Sequence, residues 1–258
     1  MKYFVIFLLI FILCLNGAGI NGYVLNTANA KPDDLIFSVK DMPYNRPFSS
    51  WANAYFGWFL SLPNIQNANN ESLAHPRDHY SPEKCSWNQN KDSPVWMLAD
   101  GPDQNDLSVI QTRDCKVPAG KALLVQIVGS NCSPNEGYKN DQELLKCATW
   151  ILNQARFSAS IDGKEVLNTD KNPSDRQKVY VIPTITNLTY GKNNYYDDPA
   201  GSVRGAMAAY LLFVKPLPIG NHIIRYQESV INALDSTGND KRISGLEYHI
   251  QVENTARP

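Results

Sequence analysis

The stretch "AMAAYLLFVKPLPIGNHIIRYQESV", residues 206–230, decides the fold of this chain. It begins with an apolar run and turns at a segment rich in proline and glycine. It then alternates, with Ile224 and Tyr226 on one face and Ile223 and Arg225 on the other. An apolar run bounded by turn residues predicts a buried strand, and alternation predicts a strand with one face in solvent. The stretch therefore predicts two consecutive strands of a β-rich domain.

Further segments with strand character lie on both sides of this stretch. Alternating residues flank Asp162-Gly163, a pair that favours the tight turn of a β-hairpin. In "KVYVIPTI", Pro183 predicts a strand at a sheet edge or a bend. We expect residues 107–117 and 121–129 to be antiparallel neighbours, because "PAG" forms a turn between them. The other predicted strands are "SPVWMLADG" (93–101) and "GLEYHIQVEN" (245–254).

Two segments have helical periodicity. The segment "SSWANAYFGWFLSLP", residues 49–63, predicts an aromatic helix capped by Ser49 or Ser50. Residues 141–155 predict an inserted helix with Asp141 as its N-cap and an apolar stripe along one face. Short strands with an N-terminal aromatic helix and one inserted helix predict a mainly β chain. We expect an antiparallel β-sandwich or a jelly-roll-like domain.

The N-terminus has the pattern of an export signal. An apolar run from Tyr3 to Leu15 follows the single charge of Lys2, and it is shorter than the roughly 20 residues that span a bilayer. The small-x-small sequence at 28–30 predicts a signal peptide over residues 1–30, with "GAG" at 17–19 as the alternative cleavage point. An uncleaved anchor is the competing interpretation. The rest of the chain, 31–258, is then a single secreted, periplasmic or cell-surface β-rich domain.

The charge balance restricts the partners. The chain has 24 Lys and Arg against 25 Asp and Glu, a formal net charge of −1, and no block of like charge. Such a chain has no basic excess to attract nucleic acid or anionic lipid. No second long apolar segment follows the first, so we expect no membrane span after signal cleavage. The expected partner is an extracellular or envelope ligand.

Four cysteines remain after the predicted signal peptide, and an even number in an exported chain predicts two disulfides. Three pairings of Cys85, Cys115, Cys132 and Cys147 are possible. We favour Cys85–Cys115 and Cys132–Cys147 because each pair joins neighbouring elements. A zinc site built from all four cysteines is the alternative, but such sites use closely spaced pairs of the C-x-x-C type.

Five segments of the chain together form a characteristic pattern. They are "WANAYFGWFLSLP" (51–63), "HPRD" (75–78), "SPVWMLADG" (93–101), "RDCKVPAGKALLVQIVGSNCS" (113–133) and "PLPIGNHIIRY" (216–226). Their order resembles a widespread family of exported bacterial and archaeal proteins of unknown function. The resemblance covers most of the chain after residue 30, and its most specific parts are the cysteine framework and "VPAGKAL". Met97, Asp100 and the segment 123–130 depart from the resembled pattern. The resemblance implies an exported location and this architecture, but no reaction.

The stretch "LAHPRDHYSPEKC", residues 73–85, contains the candidate metal ligands His75, Asp78 and His79. At spacings of three and four, these side chains would share one face of a helix. Imidazole and carboxylate together suit a divalent transition metal, and three ligands with an open position can hold a catalytic zinc. The pattern lacks the glutamate of H-E-x-x-H. A polar loop fixed by a disulfide at Cys85 is therefore the competing interpretation.

A second metal site is conceivable on the predicted strands. Glu247 and His249 are two residues apart and therefore share a sheet face. If their strand pairs with the strand of His222, a cupin-like Glu/His/His site follows. An ordinary turn into a strand at "LPIGNH" is the alternative for His222.

Three functional hypotheses follow. The sequence has no G-x-S-x-G elbow and no phosphate-binding glycine loop, so the leading one is a non-catalytic exported domain with a binding or surface-interaction role. The second is a metal-dependent enzyme that uses one of the histidine clusters. The third is a carbohydrate-binding module that uses exposed Trp51, Trp58 or Trp87.

Overall fold

The computed structural model describes residues 29–63, 65–66, 72–73, 82–101, 110–192, 194, 198–231 and 241–254. Residues 1–28 of the predicted signal peptide lie outside this part of the chain. The described helices are α1 (Pro32–Leu35), α2 (Phe48–Ser61), α3 (Asp141–Gln154) and α4 (Asp175–Val179), with short 3-10 helices at Pro43–Asn45, Pro82–Ser86 and Pro134–Glu136. The described strands are β1 (Ile65–Gln66), β2 (Ser72–Leu73), β3 (Val95–Leu98), β4 (Gln111–Pro118), β5 (Ala122–Cys132), β6 (Ala155–Ile161), β7 (Lys164–Asn168), β8 (Tyr180–Tyr190), β9 (Gly201–Val214), β10 (Gly220–Ile231) and β11 (Lys241–Glu253).

Two sheets form a β-sandwich, as the sequence predicts. The five-stranded sheet has the order β4-β11-β10-β6-β7, and the four-stranded sheet has the order β3-β5-β9-β8. Strands β1 and β2 form a separate antiparallel pair. Each large sheet contains one parallel pair, β4–β11 in the first and β3–β5 in the second. The other pairings in both large sheets are antiparallel.

The predicted pairing of residues 107–117 with 121–129 is wrong. Strand β4 joins the five-stranded sheet, whereas β5 joins the four-stranded sheet. Every described side chain from Ala122 to Val128 is buried, whereas the burial of β4 alternates. A strand buried on both faces belongs in the middle of the molecule, and a half-exposed strand belongs to an outer layer.

Strand β9 explains the apolar run that opens residues 206–230. Its even-numbered residues from Ala206 to Val214 lie in the core between the two sheets. Its odd-numbered residues from Met207 to Phe213 lie in a second core against α2. The four-stranded sheet is therefore the middle of three layers, with the five-stranded sheet on one face and α2 on the other.

Helix α2 is the predicted aromatic helix, and it packs against the core. Trp51, Tyr55 and Phe59 are buried on its sheet-facing side. The expected serine cap is wrong, because Pro47 occupies the N-cap position and Phe48 begins the helix. Proline suits a helix start because its φ is already fixed there.

Helix α3 closes one end of the space between the sheets, with Leu144, Ala148 and Leu152 buried. Its N-cap is Asn140, one residue before the predicted Asp141, and the Asn140 side chain accepts the Glu143 amide at 3.0 Å. Asp141 is the first helical residue and pairs instead with Arg204. Asparagine and aspartate cap helices about equally well, so the sequence alone did not separate the two positions.

Two local predictions are confirmed. Asp162 and Gly163 have φ of +49° and +76° and form the turn between β6 and β7. Such positive φ values define the type I′ turns that asparagine, aspartate and glycine favour. Pro183 lies on β8, an edge strand of the four-stranded sheet, where the register shifts between Val181 and Thr184.

Candidate binding groove on the five-stranded sheet

Both disulfides form with the favoured pairing. Cys85 bonds to Cys115, and Cys132 bonds to Cys147, with Cα–Cα distances of 5.6 and 6.2 Å. The four-cysteine zinc alternative is thereby wrong. The Cys85–Cys115 bond attaches the 3-10 helix Pro82–Ser86 to β4. It therefore fixes a wall beside the five-stranded sheet.

An open groove of ≈ 1040 Å³ lies across this sheet. It is lined by side chains from β4, β11, β10 and the β6–β7 turn, with Pro82 on the fixed wall. Most of the groove's strand residues belong to the sheet face that points away from the inter-sheet core. The groove therefore depends on five separate parts of the chain meeting at this sheet.

The strand register arranges the groove side chains in rows. In the first row, Asp114 lies opposite His249, which lies opposite Ile223. In the second row, Lys116 lies opposite Gln251, which lies opposite Asn221. Opposed residues on neighbouring strands have Cβ atoms about 4.5–5.5 Å apart, so the members of each row can contact the same ligand.

His249 lies between two carboxylates on the surface of the sheet. Its Nε2 is 2.8 Å from Glu247 Oε1, and its Nδ1 is 3.4 Å from Asp114 Oδ1. The side chain is 45% exposed. Its ring is therefore held by a hydrogen bond at Nε2, and a second carboxylate lies near Nδ1.

His222 is buried and fastens the β6–β7 turn to β10. Its Nδ1 is 2.8 Å from Asp162 Oδ2, and its Nε2 is 2.9 Å from the Pro218 carbonyl. The other oxygen of Asp162 accepts the Ile223 amide at 2.9 Å. These hydrogen bonds fix the β6–β7 turn at one end of the groove.

The predicted cupin-like site is not formed. Strands β10 and β11 do pair, and Glu247 does share a face with His249. The register places His222 opposite Ile250, however, and His249 opposite Ile223. The two imidazoles therefore belong to opposite faces of the sheet, because neighbouring positions along a strand alternate.

A buried polar cluster lies at the end of β3, around residues 98–101. Tyr55 donates its hydroxyl hydrogen to the Leu98 carbonyl at 3.0 Å. Tyr248 donates its hydroxyl hydrogen to the Ala99 carbonyl at 2.7 Å.

Arg113 donates to the carbonyls of Ala99 and Asp100 at 3.2 and 2.9 Å. The Gly101 amide donates to the Tyr226 hydroxyl at 2.8 Å. The cluster thus holds the end of β3 in place and joins both sheets to α2.

Burial sets the protonation of the tyrosines in this cluster. Desolvation raises the pKa of Tyr55 and Tyr226 well above the usual value, and the charge of Asp100 raises both further. Desolvation also raises the pKa of Tyr248. The hydroxyls therefore remain protonated and available to donate.

Sequence reasoning missed this cluster, although two signals were present. Arg113 occupies an inward position of the alternating strand β4, where an apolar residue is expected. Asp100 and Gln126 are polar residues within the predicted apolar strands 93–101 and 121–129. In the structure they contact each other, with Gln126 Nε2 donating to Asp100 Oδ2 at 3.1 Å.

Of the three tryptophans predicted for a carbohydrate site, Trp51 is buried, whereas Trp58 and Trp87 are partly exposed. Trp51 is 2% exposed, and its Nε1 donates to the Pro43 carbonyl at 3.0 Å. Trp58 is half-buried and donates to the Trp87 carbonyl at 3.0 Å. The prediction that Trp51 is exposed is wrong, because its face of α2 packs on the four-stranded sheet.

The predicted metal ligands His75, Asp78 and His79 lie outside the described residues, so that site stays a prediction. Within the described ranges, Cys132, Glu136 and Cys147 are close enough to share an ion. Their two cysteines, however, are joined in a disulfide. None of the helices in the described part of the chain has the length and apolar character needed to cross a membrane.

Comparisons with known proteins give little. No protein-family model and no curated protein matches the sequence. Among solved structures, the chain is similar to a chain in the structure of PbICP-C in complex with falcipain-2. The two are 13% identical, the match covers 61% of this chain and 98% of that chain, and the TM-score is 0.27. A likeness of this size defines neither a family nor a function.

Proposed function

We propose that this protein is an exported, non-catalytic binding domain that holds its ligand in the groove of the five-stranded sheet. The observation that carries the proposal is the groove itself, ≈ 1040 Å³ in volume and lined by five parts of the chain. Ligand sites in proteins are typically concave regions of a few hundred to about 1,000 Å³. A disulfide and the His222–Asp162 contact fix two parts of its boundary.

Two disulfides support an exported location, because such bonds persist in oxidising compartments. The apolar N-terminal run supports the same location. The cysteine framework and the order of the resembled segments support membership in the family of exported proteins described above. These features together favour a ligand met outside the cytoplasm.

The bonding of the groove's ionisable side chains supports a binding role over catalysis. Both nitrogens of His222 and both nitrogens of His249 have protein oxygens as partners. A general base needs a nitrogen directed at a substrate or at a nucleophile. In the described groove, the histidines instead hold the walls and the surface of the sheet.

The proposal is tested by blocking the groove. The mature protein is applied to arrays of glycans and of peptides, beside an Ile223→Trp variant that places an indole ring in the groove. Ile223 is 44% exposed, so the larger side chain leaves the core unchanged. The matched control is Ile182→Trp, because Ile182 is also an exposed isoleucine on a strand, at 71%, but in the other sheet.

We expect the natural protein and the Ile182→Trp variant to bind the same ligand and the Ile223→Trp variant to lose it. Equal binding by all three proteins would place the ligand elsewhere. Release of a chemically altered ligand would show that the protein is an enzyme.

A further inference from the structure

We infer that the ligand of this groove is an uncharged, hydroxyl-rich chain, namely a neutral oligosaccharide. The inference rests on the proposed function, because it names the ligand class of the same groove. It is carried by a comparison within the described lining of the groove. Its charged side chains have hydrogen-bond or ion-pair partners within the protein, whereas two of its uncharged polar side chains have none.

The described lining of the groove carries two lysines, Lys116 and Lys164, and two aspartates, Asp114 and Asp162. Lys116 Nζ is 3.2 Å from Glu253 Oε1, and Lys164 Nζ donates to the Ala30 carbonyl at 3.0 Å. Asp162 is bonded to His222 and to a backbone amide. Glu247 Oε2 is 3.9 Å from Arg225 Nη1, and Asp114 Oδ1 is 3.4 Å from His249 Nδ1. The described lining therefore has no excess of one charge that would select an acidic or a basic ligand.

In the described lining of the groove, two carboxamides are the polar groups that remain free. Among the described lining residues, Asn221 and Gln251 are the polar side chains without a hydrogen-bond or ion-pair partner. Both are exposed, and they lie directly opposite each other in the β10–β11 register. Their Cβ atoms are thus about 4.5–5.5 Å apart. The groove offers two adjacent amides to a ligand.

The chemistry of these amides defines the ligand. Each carboxamide has two N–H donors and one carbonyl acceptor, so a pair of them is satisfied by groups that both donate and accept. A hydroxyl group does both. A carboxylate or a phosphate only accepts, and an ammonium group only donates. Neighbouring hydroxyls on an uncharged chain therefore match Asn221 and Gln251 best.

The apolar part of the groove fits the same class of ligand. Ile223 is 44% exposed and lies two residues from Asn221 on the same sheet face. A sugar ring presents C–H groups on its faces and hydroxyls at its rim, so it can contact Ile223 and both amides together. The backbone of β10 is already paired on both sides, with β11 and β6. Strand β11 is likewise paired on both sides, with β10 and β4, so a peptide strand cannot pair with the two strands that carry Asn221 and Gln251.

The inference is tested by calorimetric titration with neutral oligosaccharides and with uronic-acid oligosaccharides of matched length. The variants are Asn221→Ala and Gln251→Ala, each of which removes one free amide. The matched control is Gln227→Ala, because Gln227 lies on the same strand and the same face but outside the groove. We expect neutral chains to bind, each groove variant to bind about tenfold more weakly, and the control to bind unchanged.

Tighter binding of the acidic chains, or equal binding by all variants, would overturn the inference. If no oligosaccharide binds, but a peptide does so in a manner blocked by Ile223→Trp, the inference fails and the proposed function stands. If Ile223→Trp blocks no ligand that the arrays detect, the proposed function fails as well.

Discussion

Gly57 and Gly205 both lie in regular secondary structure, but the space around them differs. A Cβ atom added at Gly57, inside α2, would meet nothing within 4 Å. A Cβ atom added at Gly205, on β9, would lie 2.6 Å from the Cys132 carbonyl oxygen and 2.5 Å from a methyl group of Leu188. The second glycine is therefore required by close packing and the first is not.

These two positions give opposite predictions for the same substitution. We expect Gly57→Ala to raise the free energy of unfolding by about 0.5–1 kcal/mol. The reason is that alanine loses less conformational entropy than glycine when the chain folds into a helix. We expect Gly205→Ala to lower it by about 1–3 kcal/mol, because the strands must move apart. Urea unfolding of both variants checks this. Equal effects of the two substitutions would contradict the packing described for β9.

The predicted metal ligands give a test at single residues. If His75, Asp78 and His79 bind a metal, we expect about one equivalent of a transition metal in protein purified without chelator or affinity histidines. The metal should be lost from the His75→Ala and His79→Ala variants and retained in His249→Ala. Elemental analysis measures it. Metal-free protein with both disulfides intact would contradict the site and leave a loop fixed at Cys85.

At the scale of elements, α3 depends on its disulfide. Cys132 at the end of β5 is bonded to Cys147 on α3, and the bond closes a loop with a sequence separation of 15. We expect the double change Cys132→Ala and Cys147→Ala to lower the free energy of unfolding by about 3 kcal/mol, because the unfolded chain gains freedom. Urea unfolding measures the loss.

Hydrogen exchange then locates the effect. We expect faster exchange in α3 of this variant, with α2 unchanged. The control is Cys85→Ala with Cys115→Ala, which removes the other disulfide and leaves α3 attached to β5. Equal exchange in α3 of the two variants would show that the helix is held by its packing alone.

The elements also show how far the sequence predicts the fold. Alternation in β4 and the apolar run of β5 correctly predicted the burial of each strand, because burial is encoded by nearby residues. The partner of each strand was not predictable in this way. Strand β4 pairs with β11, more than a hundred residues later in the chain. Such long-range pairing depends on the layers of the whole molecule and not on the intervening turn.

At the scale of the whole molecule, buried tyrosines make stability depend on alkaline pH. Burial raises the pKa of Tyr55, Tyr226 and Tyr248, and it raises the pKa of Tyr190 to about 12. In the unfolded chain these groups lose their protons near pH 10. Above that pH the unfolded state binds fewer protons than the folded state, so the free energy of unfolding falls as pH rises.

We therefore expect these tyrosines to leave the free energy of unfolding unchanged just below about pH 10. Between about pH 10 and 12 we expect them to lower it. Urea unfolding at several pH values measures the fall, and tyrosinate absorbance shows when the hydroxyls ionise. Ionisation of the buried tyrosines should coincide with unfolding. Full ionisation near pH 10 in the folded protein would contradict the buried cluster around residues 98–101.

The groove could not be predicted from the sequence, although most of its parts lie on predicted strands. The register of three strands and a hairpin turn bring together Lys116, Asp162, Asn221 and Gln251, and the Cys85–Cys115 disulfide holds the segment of Pro82 beside them. A shift of one residue in any pairing would move these side chains to the other face of the sheet. The same sensitivity to register explains why the predicted Glu/His/His site did not form.

The central claim is that this groove is the ligand site. Amide chemical-shift mapping, with the ligand that the arrays select titrated into the labelled protein, tests it most directly. We predict that the shifts concentrate on β4, β10 and β11 around Lys116, Asn221, Ile223 and Gln251, and that α2 and α3 stay unchanged. Shifts concentrated on the helices, or on the four-stranded sheet, would contradict the account.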